Sequence, residues 1–278
     1  MSSHLLLVAC PDAPGLIHGI TGIVYRHQGN IVSNSEFVDQ ETAQFFMRTE
    51  YKGPSDPVAV SREVKALLPK TAHVRCADME PRRIVVLATK EHHCLGDLLL
   101  RHAHGEINAN ILAVISNHET LGDLVRQFGL PFHFVDHAHK NRPDHENAIL
   151  GLLEPYRPEY LVLAKYMRIL TPGFITRFPY RIINIHHSFL PAFIGASPYR
   201  QAFERGVKLV GATAHFVTDD LDTGPIIAQD VIPVRHTHGA KDMAQAGRDV
   251  EKVVLAKALG LVLEERVFLC GNRTIIFD

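Results

Sequence analysis

Between residues 84 and 185 the chain alternates short apolar runs with segments whose apolar residues recur at helical spacing. Runs at 84–88, 109–116, 132–135, 161–164 and 182–185 read as strands, and helices are read at 94–104, 121–128 and 146–154. This alternation leaves few choices of architecture. Strands joined through helices form a mostly parallel sheet with helices on both faces. Such sheets bind ligands in crevices outside the carboxyl ends of their strands. The loops after Ala88, Ala164 and Ile185 are therefore the places to look for chemistry.

The first 80 residues follow another plan. An apolar strand at 4–9 meets the turn chemistry of Cys10-Pro11-Asp12-Ala13-Pro14-Gly15. A helix follows, with Leu16, Ile20, Ile23, Val24 and His27 at helical spacing, and Gly29-Asn30 reads as its end. Strands at 31–39 and 43–51 come next. A second helix at 58–68 puts Val60, Val64, Leu67 and Leu68 on one face, and a short strand at 72–77 closes the unit. The order β-α-β-β-α-β is the split βαβ, ferredoxin-like plan. The polar, proline-bearing segment Glu80-Pro81-Arg82-Arg83 reads as a linker, so the expected domains are 1–80 and 81–278.

Composition removes several function classes. At 46% hydrophobic and 21% charged residues the chain matches globular proteins, which excludes an overall disordered or fibrous chain. A formal net charge of −1 supplies no global field for a nucleic acid backbone or an anionic membrane. No apolar run approaches the roughly 20 residues of a membrane span. The start lacks a basic segment and its apolar run is cut by Pro11 and Asp12, so no signal peptide is expected. Cys10, Cys76, Cys94 and Cys270 are far apart, which suits free thiols in a reducing cytoplasm. Neither these nor the 18 histidines show the spacing of a metal site, so no metal is expected.

The segment Asn184-Ile185-His186-His187-Ser188-Phe189-Leu190-Pro191 carries the first chemical signal. Residues i and i+2 of a strand share a face, so Asn184 and His186 converge while Ile185 packs the other way. An amide donor beside an imidazole can hold a carbonyl oxygen as it gains negative charge. By the same alternation His187 should point away from both. A further strand, Gly211-Ala212-Thr213-Ala214-His215-Phe216-Val217, leads into Thr218-Asp219-Asp220-Leu221-Asp222-Thr223-Gly224-Pro225 and then Ile226-Ile227-Ala228-Gln229. Thr-Gly-Pro restricts the backbone beside Asp222, and a carboxylate held there can serve as a general base.

Asn-x-His on one strand, His-Phe-Val on another, then Asp-x-Gly-Pro-Ile-Ile closely resembles the core of the folate-dependent formyltransferase superfamily. The match runs from about Arg82 to the C-terminus and implies a Rossmann-like formyltransferase domain. The resemblance implies that Asn184, His186 and Asp222 are the catalytic trio and that His215 stands behind them. It also implies that Met167, Arg168 and Leu170 of Ala164-Lys165-Tyr166-Met167-Arg168-Ile169-Leu170 line the pterin site. The loop Thr218 to Asp222, with Thr218 and Asp220 among its contacts, would offer backbone groups to the other pterin edge. The N-terminal strand, Asp12-Ala13-Pro14-Gly15-Leu16 turn, helix and Gly29-Asn30-Ile31 are similar to the ACT domain. That resemblance implies an amino-acid effector, glycine or methionine on pathway logic, held by Asp12, Gly15, Leu16 and Asn30. It also implies pairing of sheets between chains, hence a dimer or tetramer.

The acceptor of the formyl group separates the members of the superfamily. Those that formylate glycinamide ribonucleotide place a Gly-rich turn after the first strand, where bare N–H groups bind phosphate. Here that place holds Thr89-Lys90-Glu91-His92-His93-Cys94-Leu95-Gly96-Asp97-Leu98, with one glycine. The formyltransferase that acts on a tRNA needs a large basic surface, and this chain carries no net positive charge. Water is then the expected acceptor. The expected reaction is hydrolysis of 10-formyltetrahydrofolate to formate and tetrahydrofolate, supplying formate for purine synthesis and balancing one-carbon pools. Formyl transfer to a small amine is the alternative, and a non-catalytic sensor is disfavoured by the intact trio. No cofactor beyond the folate substrate is expected, and no nucleic acid or membrane partner.

Overall fold

The computed structural model describes residues 3–54, 56–192 and 198–278. In the first unit, β1 (Ser3–Pro11) is followed by α1 (Leu16–Arg26), β2 (Asn30–Asp39), β3 (Gln44–Lys52), α2 (Pro57–Leu67) and β4 (His73–Ala77). The strands form an antiparallel sheet in the order β2-β3-β1-β4, as the ferredoxin-like plan requires. One face meets both helices: Leu6, Val8, Phe45 and Met47 pack with Ile20, Ile23, Val24, Val60 and Val64. Asp56 caps α2 by accepting from the Val58 N–H at 2.9 Å, with Pro57 at the first turn.

Two details of this unit differ from the sequence reading. α1 stops at Arg26, and Gln28 rather than Gly29 takes the left-handed φ of 58°. Asn30 opens β2. Residues 264–268 and 275–278 also belong to this unit, whereas the sequence reading ran the second domain straight from 81 to 278. Phe46 packs edge-on against Phe268 with ring centroids 5.8 Å apart. Arg48 donates to the carbonyls of Glu265 and Glu264, both at 3.1 Å. Arg75 donates to the Glu265 carboxylate at 2.8 Å.

The second unit opens with β5 (Arg82–Ala88), α3 (His93–Ala103), β6 (Ala109–Ser116), a 3₁₀ turn, α4 (Gly122–Gln127) and β7 (Phe132–Phe134). α5 (Arg142–Leu153), β8 (Tyr160–Ala164), α6 (Pro172–Ile175), β9 (Ile182–His186) and α7 (Pro198–Arg205) follow. The chain then forms β10 (Leu209–Phe216), β11 (Ile226–Pro233), α8 (Ala240–Leu263), β12 (Val267–Cys270) and β13 (Arg273–Ile276). The seven-stranded sheet has the order β11-β10-β9-β8-β5-β6-β7. β5 to β9 are parallel, while β10 runs antiparallel to β9 and β11 antiparallel to β10. The mostly parallel expectation is thus met, with a hairpin added at one edge.

α5 begins four residues before the point expected from apolar spacing, because Asn141 caps it by accepting from Asp144 N at 2.8 Å. The chain leaves β5 toward β6 on one side and returns to β8 on the other. The reversal opens a crevice between the carboxyl ends of β5 and β8. Thr89 after β5 accepts from the Met167 N–H at 3.0 Å and so holds the loop that follows β8.

Candidate active site

Asn184 and His186 lie on one face of β9, and β10 runs beside them with His215 opposite Asn184 and Thr213 opposite His186. Asn184 Nδ2 stands 3.2 Å from His215 Nε2. His215 Nδ1 donates to the Phe216 carbonyl at 2.9 Å, which turns Nε2 toward Asn184 and Asp222. Thr213 contributes from below: its hydroxyl donates to Ser188 O at 2.9 Å and accepts from Leu190 N at 3.0 Å. The start of the loop after β9 is anchored in this way.

Asp222 reaches the same point from the β10–β11 loop, with a left-handed φ of 55° that aspartate tolerates better than most residues. Gly224 lies so close to β10 that a Cβ would fall 1.8 Å from the Phe216 carbonyl. The Thr223 carbonyl accepts from Asn272 Nδ2 at 3.0 Å. Thus held, Asp222 places Oδ2 3.3 Å from His186 Nδ1 and Oδ1 3.6 Å from His215 Nε2. Burial alone would raise the Asp222 pKa. The hydrogen bonds and charge of His186 and His215 outweigh it and hold the carboxyl well below the usual carboxylate range. His186 is buried, and its Nε2 has no hydrogen-bond partner among the described residues.

Asn184, His186, His215 and Asp222 line one cavity of about 430 Å³. Met167, Arg168, Leu170 and Thr218 line it too. Asp220 does not. Its carbonyl accepts from Thr223 Oγ1 at 3.1 Å, which turns that residue into part of the loop's own scaffold. Met167 and Leu221 are 57% and 55% exposed, and this apolar surface suits a flat aromatic ligand.

His187 corrects an expectation. β9 ends at His186, so strand alternation no longer governs the next side chain. The His187 ring stacks on His186 with centroids 5.1 Å apart and lines the same cavity. Burial, then the charges of Lys165 and His186, push its pKa down to about 4.

A buried ionic cluster stands beside the cavity and was missed from sequence. Glu251 of α8 accepts from Tyr199 Oη at 2.6 Å, faces His93 Nε2 at 2.6 Å and lies 3.3 Å from Lys165 Nζ. Burial would raise the Glu251 pKa, but His93, Lys165 and Tyr199 bring it down to about 2. A readable signal existed: Glu251 falls on the buried stripe of α8 beside Val250, Val254 and Leu255. His93, Cys94 and Glu251 also stand close enough to share an ion. The direct 2.6 Å contact between His93 and Glu251 leaves no room for one between them, and burial pushes the Cys94 thiol up.

Asp12, Gly15 and Leu16 gather at the start of α1, where Gly15 has φ 86° and no side chain caps the helix. Asn30 lies beyond the opposite end of this 11-residue helix, about 16 Å away at 1.5 Å per residue. One chain does not bring the four together.

Comparison with known proteins assigns the class first. Residues 82–259 match the formyl transferase family and residues 4–69 match the ACT domain. A glycinamide ribonucleotide transformylase from Symbiobacterium toebii superposes on 74% of this chain and 98% of its own, with a TM-score of 0.69 and 33% identity. The formyltetrahydrofolate deformylase of Escherichia coli K12 is 55% identical over 276 residues, covering 99% of each chain. The crystal structure of the Pseudomonas syringae pv. tomato deformylase covers all of this chain and 95% of its own, with a TM-score of 0.96 and 38% identity. The chain belongs to the formyltetrahydrofolate deformylase family.

Proposed function

We propose that the protein hydrolyses 10-formyltetrahydrofolate to tetrahydrofolate and formate, supplying formate for purine synthesis and balancing one-carbon pools. The observation that carries the reading is the meeting of Asn184, His186 and Asp222 at one cavity wall in a chain of this family. The folate ring lies against Met167, Arg168 and Leu170, with Thr218 on its other side. Asp222 orients a water and receives its proton as the oxygen attacks the formyl carbon. Because its histidine partners keep it ionised, Asp222 is a weak base that passes the proton on to the departing folate nitrogen. Asn184 and the Nε2–H of His186 in its imidazolium form, whose Nδ1–H donates to Asp222, hold the formyl oxygen as it becomes an oxyanion. His215 fixes Asn184 and Asp222 from behind. Transfer to a small amine is not favoured, since the chain aligns end to end with deformylases.

The reaction is tested by incubating the protein alone with 10-formyltetrahydrofolate and following formate and tetrahydrofolate in equal amounts. Absence of formate release without an added amine would remove the hydrolytic reading.

The ACT domain acts as the regulatory unit, with glycine or methionine as its effector. Supporting this, the uncapped start of α1 beside Asp12, Gly15 and Leu16 offers free N–H groups to a carboxylate. Asn30, at the far end of the helix, would serve a site completed by a second copy, so the protein acts as a dimer or tetramer. The setting is the cytoplasm, where the four free thiols stay reduced, and no helix among the described residues is long and apolar enough to cross a membrane. An unchanged rate across a panel of amino acids, with none binding by calorimetry, would reduce the domain to an assembly element.

A further inference from the structure

Lys165 combines two features that each oppose stability. Its φ of 58° is left-handed, a region that glycine occupies without steric cost and lysine does not. Its ammonium is buried against a carboxylate that is itself fully buried: Lys165 is 4% exposed and Glu251 0%. Taking both charges out of water offsets much or all of their attraction. Two such burdens at one position call for a role beyond folding.

The surroundings suggest which role. Lys165 stands at the end of β8, in the crevice where the strand order reverses, and lines the cavity that holds Asn184, His186 and Asp222. Glu251 binds its ammonium, and Tyr199 and His93 in turn hold Glu251. Tyr199 reaches Glu251 only because α8 carries Gly247, where a Cβ would fall 2.0 Å from the tyrosine ring. The residues after Lys165 form the folate wall, and Asp222 closes the β11 side. Among the described residues, Lys165 and His187 line the same cavity as Asn184, His186 and Asp222.

We propose that Lys165, pinned by Glu251, restricts the nucleophile to water by filling the side of the cavity through which a carbon-bearing amine would reach the formyl group. This deepens the hydrolytic reading and rests on it. A water occupies about 30 Å³, whereas an amine with several heavy atoms needs the volume of the lysine stem. The reaction of an admitted amine balances without another reactant. Its nitrogen bonds to the formyl carbon, the bond from that carbon to the folate nitrogen breaks, and the amine proton passes through Asp222 to the departing nitrogen. The products are a formamide and tetrahydrofolate.

The experiment supplies the full-length protein with 10-formyltetrahydrofolate plus hydroxylamine or glycinamide, and measures formylated amine against formate by mass spectrometry. Wild type is expected to give formate. Lys165→Gly suits the backbone and opens the space, and Lys165→Gly/Glu251→Gln also removes the stranded carboxylate. Both should raise the ratio of formylated glycinamide to formate by about 10–200-fold, the range over which a small change in pocket size discriminates. Lys165→Met keeps the bulk of the stem and should hold the wild-type ratio. A merely structural role would lower both products together and leave the ratio unmoved, and that result overturns the proposal. So does a Lys165→Met ratio as high as that of the glycine variants. Should neither glycine variant fold, ready formylation of glycinamide by wild type overturns it, and exclusive formate release at high glycinamide supports it. Wild type that releases no formate in the absence of amine instead refutes the hydrolytic reading itself.

Discussion

His186 Nδ1 stands 3.3 Å from Asp222 Oδ2, so the imidazole commits one nitrogen to the carboxylate and leaves its buried Nε2 without a partner among the described residues. The carboxylate in turn stays ionised because of that contact and the one to His215. On the proposed roles, base and oxyanion donor are set by this single pairing, and removal of either partner should be felt by both.

Asp222→Asn is expected to lower the rate of formate release by about 10²–10⁴-fold, the usual worth of a general base. The amide is nearly the same shape, so tetrahydrofolate binding should persist in a titration. Formate release near the wild-type rate would remove Asp222 from the mechanism.

Asn184→Ala and His186→Ala should each reduce kcat by about 10²–10³-fold, as loss of one oxyanion donor does elsewhere. KM should move much less. Because both donors serve one oxygen, the double variant should lose less than the product of the two single effects. Strictly multiplicative losses in steady-state kinetics would mean that the two never meet at a common atom.

Gly224→Ala should lower stability by about 1–3 kcal/mol, because the new methyl group cannot share space with the Phe216 carbonyl. The same displacement moves Asp222 away from His186, so activity should fall with it. Thermal melts and formate assays on one preparation check both. A variant that melts like wild type and keeps full activity would show that the loop yields without moving the carboxylate.

His187 should make folding pH-dependent between about 6.5 and 4, the ordinary histidine value and its own. The unfolded chain binds the proton first as the pH falls, so the His187 contribution destabilises the folded state through that window and levels off below it. His187→Gln should flatten this part of the Tm profile relative to wild type. His145 is buried with its pKa also lowered, so a residual slope is expected in both proteins. Superimposable profiles would place the His187 ring in a wetter setting.

The parts of the molecule governed by short-range periodicity were open to reading from the chain alone. Period-two alternation correctly put Asn184 and His186 on one face, and the βαββαβ order of the first unit followed from spacing and turns. What escaped depends on contacts distant in sequence. The end of β9 at His186 could not be placed by pattern, so His187 was turned the wrong way. Glu251 reads as a charge on a helix until Lys165, His93 and Tyr199 arrive from three other elements. The antiparallel edge formed by β10 and β11 likewise looks, residue by residue, like any other pair of apolar strands.

Residues 264–268 and 275–278 return to the unit that the first 80 begin, so most of the second unit lies between two parts of the first in sequence. That nesting has a consequence for the order of events during synthesis. A ribosome delivers β1 to β4 long before Glu264, Glu265 and Phe268, so Arg48, Arg75 and Phe46 must wait for their partners until the formyltransferase unit has emerged. Loop closure over nearly 200 residues adds only modestly to the entropic cost, which grows with the logarithm of length. The N-terminal unit is therefore started first and completed last, and a nascent chain halted before residue 264 would carry a formyltransferase fold joined to an unfinished ACT unit.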